Sequence, residues 1–256
     1  MMQIWQAIIL AIVEGVTEFL PISSTAHLVL VSEWLKISQT EFVKSFEIVI
    51  QLGAIMAIVW LFIKRVWERK QIWSRILIAF LPTAVIGFLI YKLVKTYLIG
   101  NSWVAVISLL IGGALIVLVK EKQGVKKIED LTAMESVKIG LWQSLAMVPG
   151  VSRALATIWG GMQVGLSREA AVEMSFLLAV PTMAAATGLD LLKSGWGFSR
   201  SEWGILGLGV LVAFGVAIVA VKWLINYVKE HSFKGFGVYR ILIAVIWGIW
   251  LIKSGL

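Results

Sequence analysis

The chain has no cysteine, so disulfides, thiolate nucleophiles and cysteine metal sites are excluded, and the redox compartment cannot be read from it. Charge is scarce as well: Asp, Glu, Lys and Arg make up 15% of the 256 residues, against roughly 25% in an ordinary soluble domain. Proline occurs four times and histidine twice, so any chemistry must come from Glu, Asp, Ser, Thr, Lys, Arg and these few. The leading residues MMQIWQAIIL carry no basic stretch and no small-residue cleavage site before Glu14, and are not read as a removable signal peptide. What is abundant is apolar: 59% of the residues, with a mean hydropathy of +0.91. A soluble fold of this length would expose large sticky patches, so the expected solvent is a bilayer. The net charge of +8 comes from basic residues at the ends of apolar runs rather than on one polar face. That distribution points to lipid headgroups as partners and not to nucleic acid.

Six apolar stretches approach the roughly 20 residues a helix needs to cross a membrane. They lie near Phe46–Ile63, Ile76–Tyr91, Trp103–Val119, Met174–Leu192, Trp203–Val221 and Tyr239–Ile252. Two further apolar regions are broken. Ile4–Leu35 is interrupted by Glu14, Glu18, Pro21 and His27, and Leu141–Gly165 by VPGVSR at Val148–Arg153. A helix, a proline-containing break and a second helix are tolerated at membrane depth only where the break lines a protein or water cavity, so both read as re-entrant hairpins.

The two broken regions are related. FLPISST (Phe19–Thr25) superposes on MVPGVSR (Met147–Arg153) with Pro21 on Pro149 and Ser24 on Ser152, an offset of 128. Downstream, Ser45-Phe46 matches Ser175-Phe176 and Lys92 matches Lys222 at an offset of 130. One hairpin and three spans per half is an odd count, so the second copy must enter the membrane upside down. The expected fold is an all-α integral membrane protein, one polytopic unit over 1–256, built as an inverted repeat of halves at about 1–125 and 126–256. If so, 15 Lys and Arg share one side, in loops near 64–75, 120–138, at Arg168 and at 222–240, against seven on the other (Lys36, Lys44, Lys92, Lys95, Lys193, Arg200, Lys253). The positive-inside tendency puts the larger group in the cytoplasm and the mouth of the first hairpin outside.

Glu14 and Glu18 are one helical turn apart inside an apolar run, where they share a face and repel; a divalent cation or a basic partner should sit between them. Ser23-Ser24-Thr25 stands where the next helix should start. Its hydroxyls can act as a plain cap, or with the freed N–H groups they can bind phosphate. His27 lies one turn further, within reach of the same cavity, and reads as functional more readily than as packing. In the other half Ser152-Arg153 follows the break at Pro149-Gly150. A guanidinium at that depth implies either a phosphate to fork onto or a salt bridge to Glu18. Thr157 shares its helical face. Trp60, Trp67, Trp73, Trp103, Trp142 and Trp223 read as interfacial anchors, and Gly112-Gly113 and Gly160-Gly161 as close helix packing.

EGVTEFLPISSTAHL (Glu14–Leu28) resembles the first signature of the bacitracin-resistance type undecaprenyl-diphosphate phosphatases, and PGVSRALAT (Pro149–Thr157) is similar to their second. FEIVIQLGAI (Phe46–Ile55) and FLLAVPTM (Phe176–Met183) extend the likeness over nearly the whole chain. The second signature departs from the pattern in having Ala154-Leu155 where the family has Ser-Gly, which removes one hydroxyl contact. The resemblance implies a membrane hydrolase that removes the terminal phosphate of a C55 polyprenyl diphosphate at the outer face of the cell membrane, recycling the carrier lipid of cell-wall synthesis. It implies that Glu14 and Glu18 hold Mg²⁺ or Ca²⁺ on the diphosphate. Ser24 would be the nucleophile with His27 as its base, or His27 itself would attack. Arg153 with the N–H groups near Ser152 would stabilise the transferring phosphoryl group, and Ser23, Thr25, Gln51, Ser152 and Thr157 would contact substrate or support those that do. The architecture equally suits a transporter of a polyprenyl phosphate, and a homodimer stays open.

Overall fold

A computed structural model describes residues 2–97, 101–122, 124–194 and 197–254, the side chains of 91–97 and 189–194 excepted. Lys92, Lys95 and Lys193, three of the seven basic residues on the sparser side, therefore lie outside the described side chains. The described residues form ten α-helices and no strand. The first hairpin is α1 (Ile4–Thr17) and α2 (Ser24–Trp34); three further helices follow, α3 (Glu41–Glu68), α4 (Lys70–Tyr97) and α5 (Ser102–Leu118). The second hairpin is α6 (Ala133–Ser144) and α7 (Arg153–Gln163), followed by α8 (Arg168–Ser194), α9 (Arg200–Glu230) and α10 (Lys234–Ser254). All six expected spans are helices. Five are long and apolar enough to cross a membrane, and α5, at 17 residues, is a shorter apolar helix.

Local chemistry sets the helix starts. Thr40, Asn101, Thr132 and Ser199 each turn a side-chain oxygen onto an N–H of the following helix, and Thr132 and Ser199 complete capping boxes with Glu135 and Glu202. Pro82 and Pro181 lie inside α4 and α8. A proline leaves the carbonyl one turn back without its usual partner, which bends the helix. The threonines that follow these prolines meet a common partner: Gln143 of α6 donates to Thr83 at 2.9 Å and to Thr182 at 3.1 Å.

The hairpins exchange partners, α1 packing on α9 and α6 on α4, while α5 packs against α10 and α3 against both α8 and α9. Small residues permit this closeness. A Cβ on Gly140 would stand 2.1 Å from the carbonyl oxygen of Ala79, and one on Gly53 2.4 Å from that of Val210. Large apolar side chains such as Phe88, Leu118 and Ile252 remain mostly exposed. With several long apolar helices arranged this way, the chain is a multi-pass membrane protein.

The loops expected to share one side do meet in space. Arg65 pairs with Glu173, Arg69 with Glu129, Lys126 with Glu135 and Arg168 with Glu121. One residue of that group was misplaced by the count: Arg240 is in no loop but sits enclosed within α10 at 0% exposure.

Candidate active site

Each hairpin breaks in the same way. Ser23 and Ser152, at φ +73° and +69°, occupy the left-handed region that non-glycine residues rarely adopt. Each is the N-cap of its second helix: Ser23 Oγ accepts from the N–H of Ala26 and Ser152 Oγ from that of Leu155. The structural register is therefore Ser23 with Ser152, one residue off the register in which the prolines align, and it sets Ser24 opposite Arg153. A helix N-terminus leaves its first N–H groups without helical partners and carries a positive dipole end, so both breaks present anion-binding ends.

Between them lies a cavity of about 140 Å³ lined by Glu18, Ser23, Ser24, Thr25, Gln51, Ala146, Pro149, Gly150, Ser152, Arg153 and Met183. Seven of the residues singled out from sequence thus converge here from both halves. Ser24 Oγ donates to one oxygen of Glu18 at 2.5 Å, and Arg153 Nη2 donates to the other at 3.1 Å. The Arg153 fork is held from behind, where Nη1 donates to the carbonyl of Ser175 at 2.8 Å and the guanidinium lies over the Phe19 ring, 5.7 Å from its centroid. Its Nε–H is buried without a partner.

The other three residues stand behind the cavity wall. Thr157 Oγ1, fully buried, donates to Ser175 Oγ at 2.6 Å and so steadies the residue that anchors Arg153. Glu14 is 0% exposed and neither of its carboxylate oxygens has a hydrogen-bond partner. The charges nearest it are Glu18, Glu47 and Arg153. His27 does not reach Ser24: its Nδ1 lies 2.7 Å from the Ser23 carbonyl, which can only accept, so Nδ1 carries a hydrogen, and its Nε2 lies 2.9 Å from the Tyr239 hydroxyl. The side chain that touches Ser24 is Glu18.

The Ala154-Leu155 departure leaves the helix start intact, since the Leu155 N–H still satisfies Ser152 Oγ at 3.2 Å. Sequence reasoning missed Ser175 and Phe19, which clamp Arg153, and Tyr239, which holds His27. Ser175 had a signal in its match to Ser45, and Tyr239 was visible only as the first residue of a span. A larger open groove of about 650 Å³ runs along α6 past Lys122, Lys138, Leu141 and Trp142, and contains none of the residues singled out for chemistry.

Residues 7–246 match the protein family described as Bacitracin resistance protein BacA. A protein of Aquifex aeolicus (strain VF5) named undecaprenyl-diphosphatase is 50% identical over 247 residues, covering 95% of this chain and 96% of its own. Proteins with the same name from Sulfurihydrogenibium sp. (strain YO3AOP1) and Wolinella succinogenes are each 46% identical, covering 96% and 98% of this chain and 98% and 99% of theirs.

Proposed function

The chain belongs to the bacitracin resistance protein BacA family, and from this we propose that it hydrolyses undecaprenyl diphosphate to undecaprenyl phosphate and inorganic phosphate. The activity recycles the lipid carrier of cell-wall synthesis and favours resistance to bacitracin. Family membership favours hydrolysis over transport of the same lipid.

The observation that carries the mechanism is the 2.5 Å contact of Ser24 with Glu18 in a cavity that also holds Arg153. Ser24 Oγ attacks the terminal phosphorus and its proton passes to Glu18. The bond from that phosphorus to the bridging oxygen breaks, and undecaprenyl phosphate leaves with the electron pair. Water then attacks the phosphoserine, the P–Oγ bond breaks, Glu18 returns its proton to Ser24 Oγ, and both protons of the water leave on the inorganic phosphate. Arg153 and the N–H groups of the two helix starts stabilise the equatorial oxygens in both steps. Ser23, Ser152, Thr25 and Gln51 contact the diphosphate, Thr157 supports Arg153 through Ser175, and His27 holds the Ser23 turn.

A divalent cation, Mg²⁺ or Ca²⁺, would be held by Glu14, whose two enclosed oxygens accept no hydrogen bond, and by Glu18 once it releases Ser24 or Arg153, which take both its oxygens here. Among the described residues no three His, Asp or Glu side chains cluster as ligands, so oxygens of the diphosphate would complete the shell. Such an ion would neutralise charge on the diphosphate.

The halves are read as an inverted repeat. The matched serine caps, the exchange of hairpins between halves and the place of Glu14 in α1 and Gln143 in α6 at the same 129-residue offset as the caps all support it. The clustering of basic loops at one end supports a site opening to the outer face of the cell membrane. Phosphate release from undecaprenyl diphosphate by purified protein tests the function. The unaltered protein should release phosphate and Ser24→Ala should not; binding without release by the unaltered protein would return the transporter reading.

A further inference from the structure

Arg240 is the largest fully enclosed side chain among the described residues, and no carboxylate pairs with it there. A guanidinium in such a place is tolerated only if its donors are satisfied. They are satisfied by backbone carbonyls: Nη1 donates to Pro21 at 3.2 Å, Nη2 to Gly150 at 2.9 Å and to Ser108 at 3.0 Å, and Nε to Leu109 at 3.4 Å. Pro21 and Gly150 belong to different hairpins, and each stands two residues before its capping serine. One planar fork thus ties the two breaks at equivalent points. The residue after each cap is Ser24 on one side and Arg153 on the other, so the distance fixed by Arg240 is that between attacking hydroxyl and phosphoryl clamp. The fork fits because α5 has glycine where it passes; a Cβ on Gly112 would lie 2.3 Å from Nη2.

We propose that Arg240 is a positioning residue for phosphoryl transfer, holding the two helix breaks at the separation the reaction needs. The inference rests on the hydrolase reading and adds to it a residue outside the cavity that governs turnover. An ammonium cannot bridge both breaks, so Arg240→Lys should let them drift. A misplacement of about 1 Å between reacting groups can reduce turnover by about 100-fold. Gly112→Ala keeps the arginine and its charge but pushes the guanidinium aside.

The test measures kcat and KM for undecaprenyl diphosphate, the inhibition constant for orthovanadate as a mimic of the transferring phosphoryl group, and the melting temperature. Arg240→Lys should lower kcat by about 100-fold and weaken orthovanadate by a similar factor, with KM changed less than about threefold. Gly112→Ala should move kcat and orthovanadate together in the same direction by about tenfold. If Arg240→Lys does not fold, Gly112→Ala decides alone. The proposal is overturned if folded variants turn over within about threefold of the unaltered protein, if kcat falls only with the folded fraction while the orthovanadate constant stays put, or if neither variant folds. Absence of phosphate release by the unaltered protein would refute the hydrolase reading itself and this inference with it.

Discussion

Replacing Glu18 with glutamine isolates the base from the scaffold. The side chain keeps its shape, and its carbonyl oxygen can still accept from Arg153, but an NH₂ group now faces Ser24 where an acceptor was, so the hydroxyl has nowhere to send its proton. Loss of a positioned general base costs about 100- to 10,000-fold, or about 3–5 kcal/mol of barrier. The fold also suffers, since Glu18 and Arg153 form a buried pair at 7% and 11% side-chain exposure, and removing one charge of a buried pair costs about 3–5 kcal/mol. The assay is phosphate release at saturating undecaprenyl diphosphate, normalised to folded protein by its melting transition. His27→Gln is the control. Because His27 is engaged with Ser23 and Tyr239 rather than Ser24, it should retain activity within about tenfold. Near-normal turnover by Glu18→Gln beside a collapse in His27→Gln would refute the assignment and make His27 the base or the nucleophile; an acid-labile phosphoenzyme on His27 would identify it as the nucleophile.

Arg153→Lys retains charge but cannot span Glu18 and Ser175 while offering an edge to phosphate, and should lose about 100-fold or more in kcat; a folded variant with near-normal turnover contradicts the clamp. Exhaustive chelation should abolish activity of the unaltered protein, and Glu14→Gln should blunt the response to added Mg²⁺ or Ca²⁺; survival of full activity under chelation removes the cation from the mechanism. Cysteines introduced as Lys127→Cys and Lys44→Cys, in a chain with none of its own, report topology to a membrane-impermeant thiol reagent: position 44 should label from outside intact cells and position 127 should not, and the reverse would invert the site. Gly140→Ala drives a Cβ into the backbone of Ala79, and should lower stability by about 1–3 kcal/mol or more; an unchanged melting temperature would mean that α4 and α6 are not so closely packed.

Hydropathy and proline were enough to place the six long helices and both breaks, because a run of apolar residues is a direct report on contact with lipid. The same signal says nothing about what a buried polar side chain touches. Arg240 looked like one more basic residue at a span end, since an arginine that snorkels and one that caps carbonyls differ only in which way they face. His27 and Ser24, three apart, have the spacing of a nucleophile and its base, yet within α2 the histidine faces the Ser23 carbonyl one turn back and Tyr239. Glu18 was legible as a charged group in the wrong solvent. That it serves Ser24 and Arg153 at once depends on contacts 6 and 135 residues away, which no local pattern encodes.

The clamp of Arg240 on Pro21 spans 219 residues of sequence, and this bears on how the protein is made. The first hairpin is made long before α10, yet a donor to its Pro21 carbonyl lies on α10. Until α10 is in place the hairpin must shelter near water or headgroups, because an unpaired carbonyl in hydrocarbon is costly. The two breaks are therefore tied together only once α10 packs beside α5 and Arg240 engages both turns. A chain stopped before α10 would hold both hairpins and still leave the Pro21 and Gly150 carbonyls without their shared donor.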